Sequence, residues 1–443
     1  MKSFTYILPL VLLLTSCKKF LDVQPRDAVS DEATIVDKTS AQTAVRGIYR
    51  ELGADGYYGS LFQTIGYLSG DNIQWTGSQS VIQQFISHNV KSDNANIATV
   101  WATIYETINR ANQVIDKLPG VTDATFAEAD KNTLLGEAYF IRALSYFDLA
   151  RTWGGVQLVL KATVSISDTK GLKRSTLAET YAQVLKDLQQ AESLLPETTN
   201  RYRATRKTVW ALLARFYLYQ HNWEQAAFYS TKLIGDANYS LIKPYSAFFA
   251  NNVVATSESV FEISYSTTNT NTHRGYWQPP ANGGTRQWAP NDAFIALINN
   301  ASIGGNRSAA VAITNQGLWY GNFYYRSPAI DPAYVLRIAE QYLIRAEARA
   351  EQLNLEGALA DLDAVRDRAG LTASTAVTQS DILLAIENER RLEFAFEPHR
   401  WYDLVRTDRA ATVLGLTDTQ KYVMPVPVAE LNADDALTPN PGY

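Results

Sequence analysis

The sequence predicts a mostly α-helical protein: a scaffold of paired helices stacked as degenerate repeats, carrying a long irregular region rich in loops. Three observations predict it. Trp101, Ile104, Tyr105, Ile108, Ala111, Asn112, Ile115 and Leu118 keep the 3.6-residue period of a helix with one buried face. His221-Asn222 separates two amphipathic stretches, and a link that short forces an antiparallel helical hairpin. From Tyr239 to Ile330, by contrast, no helical period is sustained.

The chain of 443 residues exceeds the about 250–300 that one compact core usually holds, which favours two lobes or a stacking repeat. Charged residues are 19% and hydrophobic ones 46%, an ordinary globular balance; aromatics reach 11%, with 9 Trp and 25 Tyr. The net charge of −5, without a long basic run, argues against nucleic acid, because phosphate binding needs clustered Lys and Arg. Cys17 is the single cysteine, so no intramolecular disulfide and no cysteine-based zinc site exists. Its position explains it. Residues 1–16 read as a signal peptide, with Lys2 at the head and an apolar run from Ile7 to Leu14 that is too short to span a bilayer. Leu14-Thr15-Ser16-Cys17 fits a bacterial lipobox, which predicts cleavage before Cys17 and a lipid on its thiol. Residues 17–38 then form a lipid-anchored tether, and 39–443 one domain.

Ser40–Leu52 reads as the first helix. Gly53–Gln79 holds six glycines with Tyr57, Tyr58, Tyr67 and Trp75, and reads as a long loop exposing aromatic rings. Ala95–Leu118 is a helix stopped by Pro119-Gly120; Thr125–Trp153 is a second, apolar around much of its circumference and therefore buried between neighbours. Thr180–Leu195 is a third, closed by Pro196. Thr208–Gln220 and Trp223–Ile234 make the hairpin, in which Trp223-Glu-Gln-Ala226-Ala227 looks like the second helix of a tetratricopeptide repeat. The scaffold is expected over about 40–238 and 331–407, with the loop-rich insert over 239–330. Within the insert, Val260–Tyr265 alternates like a strand, and Tyr276, Trp277, Trp288, Trp319 and Tyr320 are spaced by Gly, Asn and Pro. A long irregular segment in a compact protein is usually functional. Asp331–Leu353 and Glu356–Ala369 read as another helix pair, Asp331 capping and Pro332 opening the first. Residues 421–443 form a Pro-rich tail.

Glu389–Arg406 is the densest block of charge and aromatic residues. Glu389, Glu393 and Glu397 recur every fourth residue and form one acidic ridge on a helix, which Pro398 ends or bends. Arg390, Arg391, Arg400 and Arg406 stand close in sequence, so the ridge reads as a structural ion-pair network, not a catalytic acid pair.

This block resembles the C-terminal signature of the SusD/RagB family of Bacteroidetes outer-membrane lipoproteins. Glu389, Arg390, Arg391, Glu393, Phe396, Glu397, His399, Arg400, Trp401, Asp403, Leu404 and Arg406 match it; Pro398 replaces the usual Gly and Thr407 a frequent Trp. Cys17-Lys18-Lys19-Phe20-Leu21-Asp22-Val23, Gly136–Leu149, Tyr342–Ala348 and the tail around Met424-Pro425 and Asn440–Tyr443 resemble other family segments, so the likeness runs nearly the whole chain. It implies a tetratricopeptide-like fold and a place on the outer membrane. It also implies a role capping a SusC-like TonB-dependent transporter and capturing glycans for import.

The chain lacks the G-x-G-x-x-G, G-x-x-x-x-G-K-[ST] and G-x-S-x-G motifs, and its four histidines stand far apart, so no enzyme, cofactor or metal is predicted. Flat rings pack on the apolar face of a pyranose while planar polar groups take its hydroxyls. On composition and loop placement the candidate stacking residues are Trp75, Tyr276, Trp277, Trp288, Trp319 and Tyr320, with Asp71, Asn72 and Arg274 as polar partners; for each tryptophan taken singly, a place in the core is the alternative reading. Two other readings stand beside glycan capture: a scaffold that binds only the transporter, and a surface glycosidase built on two carboxylates.

Overall fold

The structure, a computed structural model, describes residues 34–443. The signal peptide, Cys17 and most of the tether lie outside the described residues. Helix α1 (Lys38–Leu52) starts where the Asp37 carboxylate accepts the Ser40 amide, 2.8 Å, in a capping box. After α2 (Leu61–Leu68), strand β1 (Ile73–Trp75) and α3 (Ser80–Ile86) come the long helices α4 (Ala95–Lys117), α5 (Glu128–Trp153) and α6 (Leu177–Leu194). Next is the hairpin of α7 (Arg206–Tyr219) and α8 (Trp223–Ile234). Neighbours pack in sequence, α1 on α4, α4 on α5, α5 on α6, α6 on α7, and α7 on α8.

The insert supplies β2 (Ser259–Ile263), α9 (His273–Trp277), β3 (Trp288–Pro290), α10 (Asp292–Ile298), β4 (Val311–Ile313) and β5 (Trp319–Gly321). Strand β6 (Ala333–Arg337) leads directly into α11 (Ile338–Glu351), which pairs with α12 (Leu355–Arg368) and packs on α8. Helix α13 (Gln379–Glu393) covers that pair, and α14 (Arg400–Arg406), α15 (Ala410–Leu414) and α16 (Val428–Ala433) finish the chain. One large core runs through the first helices and the insert; smaller ones fill the α7–α8–α11 and α11–α12–α13 contacts. The architecture is mostly helical and repeat-like, as the periodicity predicts.

Two expectations are corrected. Asp331–Leu353 is not one helix. Ala-Tyr-Val-Leu-Arg at 333–337 is wholly buried and pairs antiparallel with β2, Ser259 opposite Arg337 and Ile263 opposite Ala333. Aromatic and β-branched residues suit a pleated buried surface, and the β2 partner overrides the helical pattern that follows. Asp331 therefore caps nothing; it accepts the Arg326 amide, 2.7 Å, and pairs with the Arg326 guanidinium, 3.1 Å. Gly53–Gln79 is likewise not an exposed loop. Its Tyr57 and Tyr58 are buried, and both hydroxyls donate to the buried Asp148 carboxylate, 2.6 and 2.9 Å.

The acidic ridge is an ion-pair network with other partners than its neighbours in sequence. Helix α13 stops at Glu393, so Glu397 lies beyond it. Arg337, fully buried, holds Glu258 at 2.9 Å, Glu393 at 2.8 Å and Glu397 at 2.6 Å. Arg307 holds Glu389 at 2.5 Å and Glu393 at 2.9 Å. Arg368 meets Glu258 at 3.3 Å and also pairs with Glu393. Arg366 at the edge adds a contact to Glu389, 3.2 Å. Buried charge is tolerable only when it is paired and hydrogen-bonded, and the cations Arg307, Arg337, Arg366 and Arg368 match the anions Glu258, Glu389, Glu393 and Glu397. Burial works against a charged Glu393, but Arg368, Arg307 and Arg337 outweigh it and hold the carboxyl down to about 2. The nearby arginines pair elsewhere: Arg390 with Asp403 at 2.8 Å and Arg406 with Glu347 at 2.5 Å.

Candidate functional site

Four segments far apart in sequence meet above α2. Strand β1 pairs antiparallel with β3, Ile73 opposite Pro290 and Trp75 opposite Trp288. Strand β5 lies against β3 and pairs with β4, Ile313 opposite Trp319 and Val311 opposite Gly321. The hydrogen bonds that lock the segments run through main-chain groups. The Thr76 amide donates to Gln287 O at 2.9 Å and the Thr76 hydroxyl to Arg286 O at 2.5 Å. Arg286 Nε donates to Trp319 O at 2.7 Å. Gln278 Nε2, one residue after α9, donates to Gly321 O at 3.1 Å. Gly321 must be small: a Cβ there would stand 2.6 Å from the Trp277 ring and 2.8 Å from Phe396.

The candidate rings divide into a floor and a rim. Trp277 and Trp288 are buried, 5.6 Å apart edge to face, and Tyr67 packs edge-on against both at 5.4 and 5.6 Å. Neither offers a ring face to solvent, so their placement as stacking platforms is corrected to a supporting floor. Tyr276 is half-buried and lies over Trp288 with centroids 4.4 Å apart at 27°. Trp75, Trp319 and Tyr320 are also half-buried. Ile313 and Leu318, 50% and 49% exposed, flank Trp319 and extend the apolar rim.

The three polar candidates are spent on structure. Asp71 binds Arg400 through Nε, 2.7 Å, and Nη2, 3.1 Å, and also meets Arg391 at 3.0 Å. Burial opposes its charge, yet those guanidinium groups hold its carboxyl below the usual range. Asn72, buried, donates to Arg391 O at 3.1 Å and accepts from Arg391 Nε at 2.7 Å. Arg274 donates to the carbonyls of Tyr325, at 3.2 Å, and Asn282. Asp71 and Asn72 therefore anchor β1 to the signature block, and Arg274 holds the 280s turn.

One acid was missed. Asp55 accepts from the Thr272 hydroxyl at 3.1 Å, and partial desolvation of its carboxyl raises it. Burial also raises the nearby Tyr276 phenol, and the Asp55 charge adds to that rise. In sequence Asp55-Gly56 reads only as a turn. The indole Nε1 groups of Trp75, Trp277 and Trp288 have no hydrogen-bond partner among the described residues. Half-buried rings with the Asp55 carboxylate beside them suit recognition by stacking and hydrogen bonding. Among the described residues no group of His, Cys, Asp and Glu is arranged to hold a metal ion.

Stacked helical hairpins carrying an aromatic loop surface define a protein of the helical-repeat class. Residues 19–218 match a SusD-like family described as starch-binding and associating with the outer membrane, and residues 300–418 match the SusD family. The chain belongs to the SusD/RagB family. It is 26% identical to SusD-like protein P38 of Formosa agariphila, covering 93% of this chain and 92% of the relative. It is 22% identical to a SusD-like protein of Bacteroides ovatus, covering 89% of this chain and 80% of the relative. A SusD superfamily protein from Bacteroides vulgatus shares the fold with a TM-score of 0.82 at 22% identity, over 91% of this chain and 99% of that one. A laminarin-binding SusD-like protein shares it with a TM-score of 0.82 at 24% identity, over 92% of this chain and all (100%) of that one. Glycan binding and association with the outer membrane are thus properties at the level of the family. Among the described residues no helix is long and apolar enough to cross a membrane.

Proposed function

We propose that this chain is a surface lipoprotein, anchored through Cys17, that captures an oligosaccharide or polysaccharide and caps a SusC-like TonB-dependent transporter. It acts by binding and carries no catalytic step. The observation that carries this reading is the convergence of segments 71–77, 274–278, 286–290 and 319–321, where half-buried Tyr276 stacks on buried Trp288, Trp75 stands opposite Trp288, and half-buried Trp319 and Tyr320 lie on the neighbouring strand. Rings held rigidly by such a floor bind a pyranose without the entropic cost of ordering them first. Asp55 and the phenol of Tyr276 supply polar groups beside the rings.

Native affinity electrophoresis through gels containing laminarin, starch and other polysaccharides tests the reading. Retardation by at least one glycan, weakened on changing Trp319 and Tyr320 together to Ala, is the expected result. Migration unchanged in every gel would overturn direct glycan capture. Co-purification with a TonB-dependent transporter from membranes tests the capping role separately.

A further inference from the structure

Away from the loop surface, a cleft of about 690 Å³ opens between the start of α8, the end of α11, α13 and the turn after α14. One wall is apolar. Trp223 is stacked by His221 with centroids 5.0 Å apart at 12°, and Leu384 of α13, 47% exposed, lines the same cleft. The charged groups divide sharply. Glu347 is bound to Arg406 at 2.5 Å, and Glu387 to Arg409 at 2.8 Å and Arg400 at 3.2 Å. Three groups are left over. Arg390, only 3% exposed, gives Nε to Asp403, while its Nη1 has no hydrogen-bond partner among the described residues. The side chains of Glu351 and Asp408 line the same cleft and make no ion pair or hydrogen bond among the described residues.

An unpaired buried donor is costly, and an occupant that accepts from it recovers that cost. A simple anion would satisfy Arg390 but face two carboxylates. A simple cation would satisfy the carboxylates but face Arg390. A neutral molecule with several hydroxyls accepts at one and donates at the others, and lays its C–H face on the Trp223 and Leu384 wall. The space matches a small ligand. We propose that this cleft is a second saccharide site, independent of the loop surface, with Arg390 as donor and Glu351 and Asp408 as acceptors.

The test uses affinity gels of laminarin, starch, xylan and mannan on the full chain. The variants are the Trp319→Ala, Tyr320→Ala pair, Leu384→Arg, and all three changes together. Leu384→Arg drives a guanidinium into the cleft from an exposed position. The expected result is that the loop pair keeps retardation in at least one gel, and that adding Leu384→Arg weakens this remaining binding by about tenfold or more. Thermal unfolding of each variant checks the fold, and Glu351→Ala replaces Leu384→Arg should the latter unfold. Retardation abolished by the loop pair alone, retardation indifferent to the cleft variants, or no retardation of the wild type would each overturn the proposal.

Discussion

Asp71 and Arg400 meet through two hydrogen bonds, Nε to Oδ1 at 2.7 Å and Nη2 to Oδ2 at 3.1 Å, across 329 positions of sequence. Arg400 also reaches Glu387 at 3.2 Å. One side chain thus ties the turn before β1 to helix α13. Removing one partner of a largely buried pair strands the other charge. Arg400→Ala is expected to cost about 2–4 kcal/mol in denaturant unfolding, while glycan affinity of the folded protein stays unchanged. An Asp71→Asn variant with wild-type stability but lost affinity would return Asp71 to the ligand.

Glu393→Gln is expected to be the most damaging single charge change in the signature block. It leaves Arg307, Arg337 and Arg368 with one anion fewer in a fully buried cluster. A loss of about 3–5 kcal/mol follows from breaking such a network. Denaturant unfolding of purified protein measures it, and a loss under about 1 kcal/mol contradicts the uncompensated-charge account.

Floor and rim should separate by readout. Trp277→Ala opens a cavity in the core and should cost about 3–5 kcal/mol of stability. Changing half-buried Trp319 or Tyr320 to Ala should leave thermal unfolding close to wild type and lower affinity for a retarding glycan, by about tenfold for a ring that stacks. Equal effects of floor and rim changes on stability would erase the distinction.

Acid sensitivity should appear well above the carboxylate range. Burial pushes the His273 imidazole from the ordinary 6.5 down to about 4, and burial together with Arg215, Arg390, Arg151 and Arg337 drives His399 well below its ordinary value. The unfolded chain takes up these protons near 6.5 and the folded chain does not, so the stabilisation is complete above 6.5 and is lost as pH falls toward 4. Each histidine contributes a slope of about 1.4 kcal/mol per pH unit across that window. Denaturant unfolding at steps from pH 7.5 to 4.5 reads the slope, and His273→Gln should reduce it by about half.

The scaffold was largely legible because helix packing writes its period into the sequence. Ala95–Lys117 and Trp223–Ile234 fall within a residue of the stretches that periodicity marks. Ala333–Arg337 was not legible, since no Gly or Pro separates it from Ile338 and its partner Ser259–Ile263 is remote. The same limit hid the partners of Glu389, Glu393 and Glu397. Adjacent arginines were the obvious counter-charges, but Arg307, Arg337 and Arg368 reach them through the fold. For the site, the sequence marked the segments that converge, but three-residue strands carry too little alternation to tell a buried Trp288 from a half-buried Trp319.

The buried arginine and glutamate cluster draws on residues from Glu258 to Glu397. As the chain is made from its N-terminus, Glu258 emerges with neither Arg337 nor Arg368 available to meet it, and Arg337 in turn must wait for Glu393 and Glu397. The interior on that side cannot be closed by any shorter product. Completion of the chain becomes a condition of folding there, because a product that ends before the signature block leaves Arg307, Arg337 and Arg368 without Glu389, Glu393 and Glu397.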